Sequence, residues 1–315
     1  MKIVILDGYT INPGDLDWKP LEEFGEVISY PRTNPEDTLK RASGAEAIIT
    51  SKVILDKNII ENLPELKYVG VIATGYNVVD LEYAKEKGIV VTNIPNYCTS
   101  SVAQMVFAHL FNFARRVDHH SRSVKDGNWS KSTDFCFWDY PQIEMNEKVL
   151  GLIGCGNIGN AVTKIAKSMD MKVIVHDPYA KKHPDVEFVE LDTVFKESDF
   201  LSLHCPLTDE TKYIIRKENI SKMKKTAFIV NTGRGPLINE LELADTLNEG
   251  IIAGAGLDVL EVEPPNADNP LFKAKNCQIT PHVAWASIEA RKRLIQFTMN
   301  NLKAFMEGKS INVVN

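Results

Sequence analysis

Short runs rich in valine and isoleucine recur along the chain: "KIVIL", "EAIIT", "YVGVIA", "IVVTNI", "KVLGLIG", "MKVIVHD", "FLSLHC", "AFIVNTG", "IAGAGLDV" and "CQIT". They are nearly continuous rather than alternating, which is the pattern of strands covered on both faces. Between them lie segments of helical period, such as residues 81–88 and 240–250, and the second closes on a glycine suited to end a helix. Strands and helices that alternate in this way pack as an α/β protein with largely parallel sheets. The 315 residues exceed one core, and about 150 residues per domain predicts two domains.

Between the halves the pattern changes. Thr99, Ser100 and Ser101 offer N-cap hydroxyls, and Val102, Met105, Val106, Leu110, Phe113 and Val117 follow at helical spacing, which predicts one long helix running toward Gly127. Residues from about 118 to 148 then mix charge with Trp129, Phe135, Phe137, Trp138 and Tyr140 in no regular period, and read as a connection to the second α/β half.

Composition removes several function classes. A hydrophobic content of 44% with 25% charged residues excludes disorder and low complexity. The net charge of -6, from 36 Lys+Arg against 42 Asp+Glu, gives no basic field for a polyanion, so nucleic acid is not expected as a partner. The five cysteines are scattered and form no CxxC pair, so neither a disulfide framework nor a thiolate metal site is expected. The apolar run after Met1 is too short for a secretory leader, and no apolar stretch reaches about 18 residues. A soluble, cytoplasmic protein without membrane contact is the expectation.

The first chemical motif is "KVLGLIGCGNIGNAV", with Gly154, Gly156 and Gly159 as G-x-G-x-x-G between an apolar strand and a helical run. Gly154 can take the tight turn, Gly156 can admit a pyrophosphate to the backbone, and Gly159 can let helix pack on strand. The next strand ends in Asp177, close to the spacing of an acid that accepts hydrogen bonds from the adenosine ribose. A carboxylate there repels a 2′-phosphate and favours NAD over NADP, although Lys181 and Lys182 lie near. The alternative for Asp177 is a plain turn acid opening "DPY". Cys205, Pro206 and Thr211, in "HCPLTDET", are read as lining the cofactor cleft.

Three polar stations follow apolar runs further on: "NTGRG", "LDVLEVEPP" and "TPHVAWAS". They bring Arg234, Asp258 with Glu263, and His282 to strand C-terminal ends, where open α/β sheets bind ligands. Hydride transfer to a ketone needs a proton donor at the oxygen and a cation for a neighbouring carboxylate. His282 can donate, Arg234 can clamp a carboxylate, and Glu263 can orient the imidazole and favour its charged form. Taken singly, Arg234 could be a turn residue, Glu263 a loop acid and His282 a strand-end histidine. The other six histidines lack such partners and are read as structural.

In order and spacing, these motifs resemble the signatures of the D-isomer-specific 2-hydroxyacid dehydrogenases across essentially the whole chain. The resemblance implies Arg234, Glu263 and His282 as catalytic residues and Asp258 as an acid near the nicotinamide. It completes a cofactor set of Gly154, Gly156, Asn157, Ile158, Gly159, Asp177, Cys205, Pro206, Thr211, Thr232 and Asp258. It also implies substrate contacts from Thr74 and Gly75, whose backbone N–H groups hold the carboxylate, and from Lys52, beside Arg234 and His282. Two doubly wound domains are expected: a flavodoxin-like substrate domain of residues 1–98 plus 287–315, and an inserted Rossmann NAD domain of residues 99–286. Its arm, about 118–148, would pair two copies as a homodimer. Within the family, "ATGYNVVD", "NYCTSSVAQ" and the arm look most like the glycerate dehydrogenase branch, which reduces hydroxypyruvate. A phosphoglycerate dehydrogenase lacking its regulatory domain, and a corepressor-like dinucleotide-sensing scaffold, are the alternatives.

Overall fold

The structure, a computed structural model, describes residues 1–180 and 186–315. The chain divides into two compact units, Met1–Cys98 with Ala286–Asn315, and Thr99–Trp285.

In the first unit, β1 (Lys2–Ile5), β2 (Glu26–Ser29), β3 (Ala47–Thr50), β4 (Tyr68–Val71) and β5 (Val90–Thr92) form a parallel sheet in the order β2-β1-β3-β4-β5. This is the flavodoxin-like doubly wound order, with its reversal between β1 and β3. Every residue of β3 and β4 is buried, as continuous apolar runs require. Val4, Ile48, Val69, Val71 and Val91 join one cluster, each side chain contributing about 1.5–3 kcal/mol by leaving water. The last helix, Ile288–Met306, belongs to this unit and is capped by Ser287, whose hydroxyl accepts from the Ala290 N–H.

Among its described residues the second unit holds seven parallel strands: β6 (Val149–Ile153), β7 (Lys172–His176), β8 (Glu187–Phe188), β9 (Phe200–Leu203), β10 (Phe228–Asn231), β11 (Gly254–Leu257) and β12 (Cys277–Ile279). Their order is β12-β11-β10-β9-β6-β7-β8, the Rossmann order with one added strand and with its reversal between β6 and β9. The small residues of β11 serve helix packing, since a Cβ on Gly256 would stand 2.8 Å from the His109 ring of the helix Thr99–Arg115. His109 is buried there, and desolvation holds its pKa below the usual imidazole value.

Two expectations need correction. The long helix predicted from Thr99 toward Gly127 is two helices, Thr99–Arg115 and Val117–Lys125, separated by Arg116 at φ 48°. The apolar period continues into Val117, but that side chain is 68% exposed, and no residue of the second helix is buried. The guanidinium of Arg116 instead lies over the Phe113 and Tyr140 rings. The apolar runs also omit β2 and β8. Both are sheet edges, and β2 has the half-exposed pattern of an edge strand, so neither carries a continuous apolar signal. Among the described residues no helix is long and apolar enough to cross a membrane.

Candidate active site

Beyond β6 the chain turns through Gly154 at φ 95°, a backbone conformation that suits glycine. A Cβ at Gly154 would stand 2.5 Å from the backbone nitrogen of Cys205, which follows β9, so the glycine loop sits at the reversal point of its sheet. A Cβ at Gly159 would stand 2.7 Å from the Gly154 carbonyl oxygen. Gly156 differs, because apart from its chain neighbours no atom of the described residues lies within 4 Å of where its Cβ would be. Two of the glycines are therefore demanded by the protein's own packing, while Gly156 leaves space on the outer side. It caps the helix Asn157–Ser168, whose first residues, Asn157 and Ile158, stand at the positive end of the helix dipole.

Asp177 follows β7, and its two oxygens serve two loops. Oδ2 accepts from the Cys155 N–H at 2.7 Å, while Oδ1 accepts from Tyr179 N–H at 2.9 Å and Ala180 N–H at 3.0 Å. The turn expected at "DPY" is therefore present, and the same carboxylate also ties that turn to the glycine loop. Lys181 and Lys182 lie outside the described residues. On the other side of the glycine loop, the Thr211 hydroxyl donates to the Pro206 carbonyl at 2.7 Å and ties the segment after Cys205 into a closed turn. Desolvation pushes the Cys205 thiol up to about 11 and raises that of Cys155, so neither is a thiolate at neutral pH. His204 is driven down to about 4 by the same cause and stays neutral.

The residues fit a dinucleotide on independent grounds. Besides the open face at Gly156, the Thr232 hydroxyl is buried at the end of β10 without a partner, the one such side-chain atom among the described residues. An orphaned buried hydroxyl costs about 1–3 kcal/mol, which a bound ligand can relieve.

The three polar stations follow β10, β11 and β12, which are neighbours in the sheet. Asn231, wholly buried, braces the first: its Oδ1 accepts from Gly233 N–H at 3.0 Å and its Nδ2 donates to the Arg234 carbonyl at 2.8 Å. That leaves the Arg234 guanidinium exposed beyond the turn, with Nη1 donating to the Gly233 carbonyl at 2.8 Å. Gly235 packs against the next loop so tightly that a Cβ would stand 1.9 Å from the Leu260 carbonyl oxygen. In that loop Glu263 accepts from Leu260 N–H with Oε1 at 3.0 Å, and its Oε2 meets His282 Nδ1 at 2.6 Å. A carboxylate can only accept here, so Nδ1 carries the proton and Nε2 is turned to the other side.

His282 occupies φ 53°, rare for a residue with a Cβ, and its N–H donates to the Asp258 and Thr280 carbonyls. Asp258 is 1% exposed, and its carboxylate accepts from the Thr280 hydroxyl at 2.6 Å, Val283 N–H at 3.0 Å and Ala284 N–H at 2.8 Å. Its visible work is to hold the loop that carries His282.

In the first unit, Lys52 and the pair Thr74–Gly75 follow β3 and β4, adjacent strands, so they share one sheet edge. Buried Asp7, after β1, accepts from the Thr50 hydroxyl, from Ser51 N–H and, at 2.6 Å, from Lys52 N–H, which fixes the Lys52 backbone at the reversal point. Asn231 and Asp7 were not anticipated from the sequence. Asn231 adjoins a recognised motif, whereas nothing around Asp7 in "ILDGY" signals which backbone it will brace.

The family model of the D-isomer specific 2-hydroxyacid dehydrogenase, NAD binding domain, matches residues 107–284. A hydroxypyruvate reductase of Blautia hydrogenotrophica is 50% identical over 321 aligned positions that cover 100% of both chains. A glycerate dehydrogenase of Methylorubrum extorquens is 39% identical, covering 99% of this chain and 98% of that one. Among solved structures, an acyclic imino acid reductase in complex with NADPH and D-Arg superposes with a TM-score of 0.86 at 32% identity, covering 100% of both chains.

Proposed function

The chain belongs to the D-isomer specific 2-hydroxyacid dehydrogenases, and on that premise we propose that it reduces hydroxypyruvate to D-glycerate with NADH. The observation that carries the chemistry is the 2.6 Å contact between Glu263 and His282 Nδ1, which leaves Nε2 to address a substrate oxygen. When bound, the nicotinamide supplies the hydride in reduction and accepts it in oxidation. His282 Nε2 donates the proton to the oxygen that becomes the hydroxyl, and takes it back in the reverse direction. Glu263 fixes the tautomer and offsets the charge of the imidazolium. Arg234 pairs with the substrate carboxylate, for which its planar fork is matched. From the first unit, Lys52 and the backbone N–H groups at Thr74 and Gly75 are proposed as further substrate contacts, on the family resemblance.

Gly154, Gly156, Asn157, Ile158, Gly159, Asp177, Cys205, Pro206, Thr211, Thr232 and Asp258 are proposed to hold the cofactor. The Asp177 carboxylate favours NAD(H), because a 2′-phosphate would bring like charge beside it. The choice of hydroxypyruvate is supported by the 50% identical relative of that name. A homodimer through the arm is supported by its exposed aromatics, Phe135 at 89% and Trp138 at 65%. The five free thiols suit a reducing cytoplasm. The reading is tested by incubating the enzyme with NADH and hydroxypyruvate and resolving the product on a chiral column. D-glycerate formed in step with NADH loss is expected, and the L-isomer or no turnover would contradict it.

A further inference from the structure

Asn93, the first residue after β5, is buried, and its side-chain Nδ2 donates to the Thr74 carbonyl at 2.8 Å. Its backbone is pinned from the other side. The Asn93 N–H donates to the Asn312 carbonyl at 3.1 Å, and its carbonyl accepts from Asn301 Nδ2 at 2.9 Å. Asn312 Nδ2 in turn donates to Asn301 Oδ1 at 2.8 Å. The last helix and the tail after it therefore fix Asn93, and Asn93 fixes Thr74. Two further bonds lay the same segment along the β5 side: Ile94 N–H to the Ala73 carbonyl at 3.0 Å, and the Thr74 hydroxyl to the Ile94 carbonyl at 3.1 Å.

In a trans peptide the carbonyl of one residue and the N–H of the next point in opposite directions. With the Thr74 carbonyl held toward Asn93, the Gly75 N–H is directed away from it. We propose that Asn93 is a positioning residue for the substrate carboxylate, holding the Thr74–Gly75 peptide plane so that the Gly75 N–H is presented to the ligand. This rests on the reading that Thr74 and Gly75 form the carboxylate cradle. A donor locked in place before binding pays no ordering cost on binding, and a hydrogen bond at the carbonyl also polarises the N–H of the same amide. The effect belongs in substrate affinity rather than in proton or hydride transfer.

Asn93→Ala is a clean probe, because both ties to Asn301 and Asn312 run through the Asn93 backbone and survive the substitution. The KM for hydroxypyruvate should rise about ten-fold, with kcat and NADH affinity within about two-fold of wild type. Asn93→Asp, which sets an acceptor against the Thr74 carbonyl, should raise KM further. Asn93→Ser is the second variant should the alanine protein fold poorly. Gly75→Pro, which removes the N–H itself, tests the cradle separately. A KM unchanged in the Asn93 variants but raised in Gly75→Pro overturns the role of Asn93 and leaves the cradle standing. A KM unchanged in all of them overturns both, and a fall in kcat with loss of thermal stability at constant KM marks Asn93 as merely structural.

Discussion

His282 is held in a left-handed backbone conformation at φ 53° by two hydrogen bonds from its own N–H. Such a conformation costs of order 1 kcal/mol for a residue with a Cβ, and the buried Asp258 beneath the loop supports it. His282→Asn tolerates the same backbone but cannot act as the acid, so kcat should fall about 100-fold or more with NADH affinity retained. Steady-state rates with a fluorescence titration of NADH check this, and retained turnover would remove His282 from the chemistry. Asp177→Ala should weaken NADH and shift preference toward NADPH, measured as the ratio of kcat/KM for the two cofactors. An unchanged ratio would mean that discrimination resides elsewhere. Arg234, Glu263 and His282 were visible in the sequence because each stands in a polar station just past an apolar run, where a parallel strand ends and binds ligands. Asp7, Asn93 and Asn231 were not, since a small polar residue at or just past the end of a strand reads the same whether it faces solvent or braces a backbone three or forty residues away.

The glycines of the second unit separate protein packing from ligand space. Gly156→Ala meets open space, so the melting temperature should hold within about 2 °C while NADH affinity falls about ten-fold or more. Gly235→Ala meets the Leu260 carbonyl, a backbone atom that cannot swing aside, and should destabilise the unit by about 2 kcal/mol or more. Thermal unfolding of the two variants side by side decides the matter, and equal melting temperatures would contradict the geometry. The inner strands were legible because parallel strands buried on both faces write themselves as continuous runs, whereas the edge strands β2 and β8 carry no such signal. The break at Arg116 was not, because the apolar spacing carries past it into Val117 and holds no trace of the left-handed backbone at Arg116.

For the whole molecule, acid sensitivity follows from burial. His204 titrates at about 4 instead of 6.5, and His109 is shifted in the same direction. Between those pH values the unfolded chain binds protons that the native state refuses, so stability is lost as pH falls from about 6.5 toward 4. Urea unfolding at pH 7 and pH 4.5 should show this loss, and His204→Asn should flatten it; an unflattened slope would assign the effect to other groups. Light scattering at micromolar concentration should give a dimer, with Trp138→Asp shifting it toward monomer; a monomeric wild type would contradict the arm's proposed role.

The proposed site serves a small keto acid with a single arginine clamp, Arg234. A phosphorylated substrate would bring about two further negative charges needing their own cationic partners. Initial rates of NADH oxidation across hydroxypyruvate, glyoxylate, pyruvate and 3-phosphohydroxypyruvate test this most directly. Hydroxypyruvate should give the highest kcat/KM, glyoxylate an intermediate value, and the phosphorylated acid one lower than hydroxypyruvate by about 100-fold or more. A panel won by 3-phosphohydroxypyruvate would rule out the single-arginine keto acid site and make the chain a phosphoglycerate dehydrogenase.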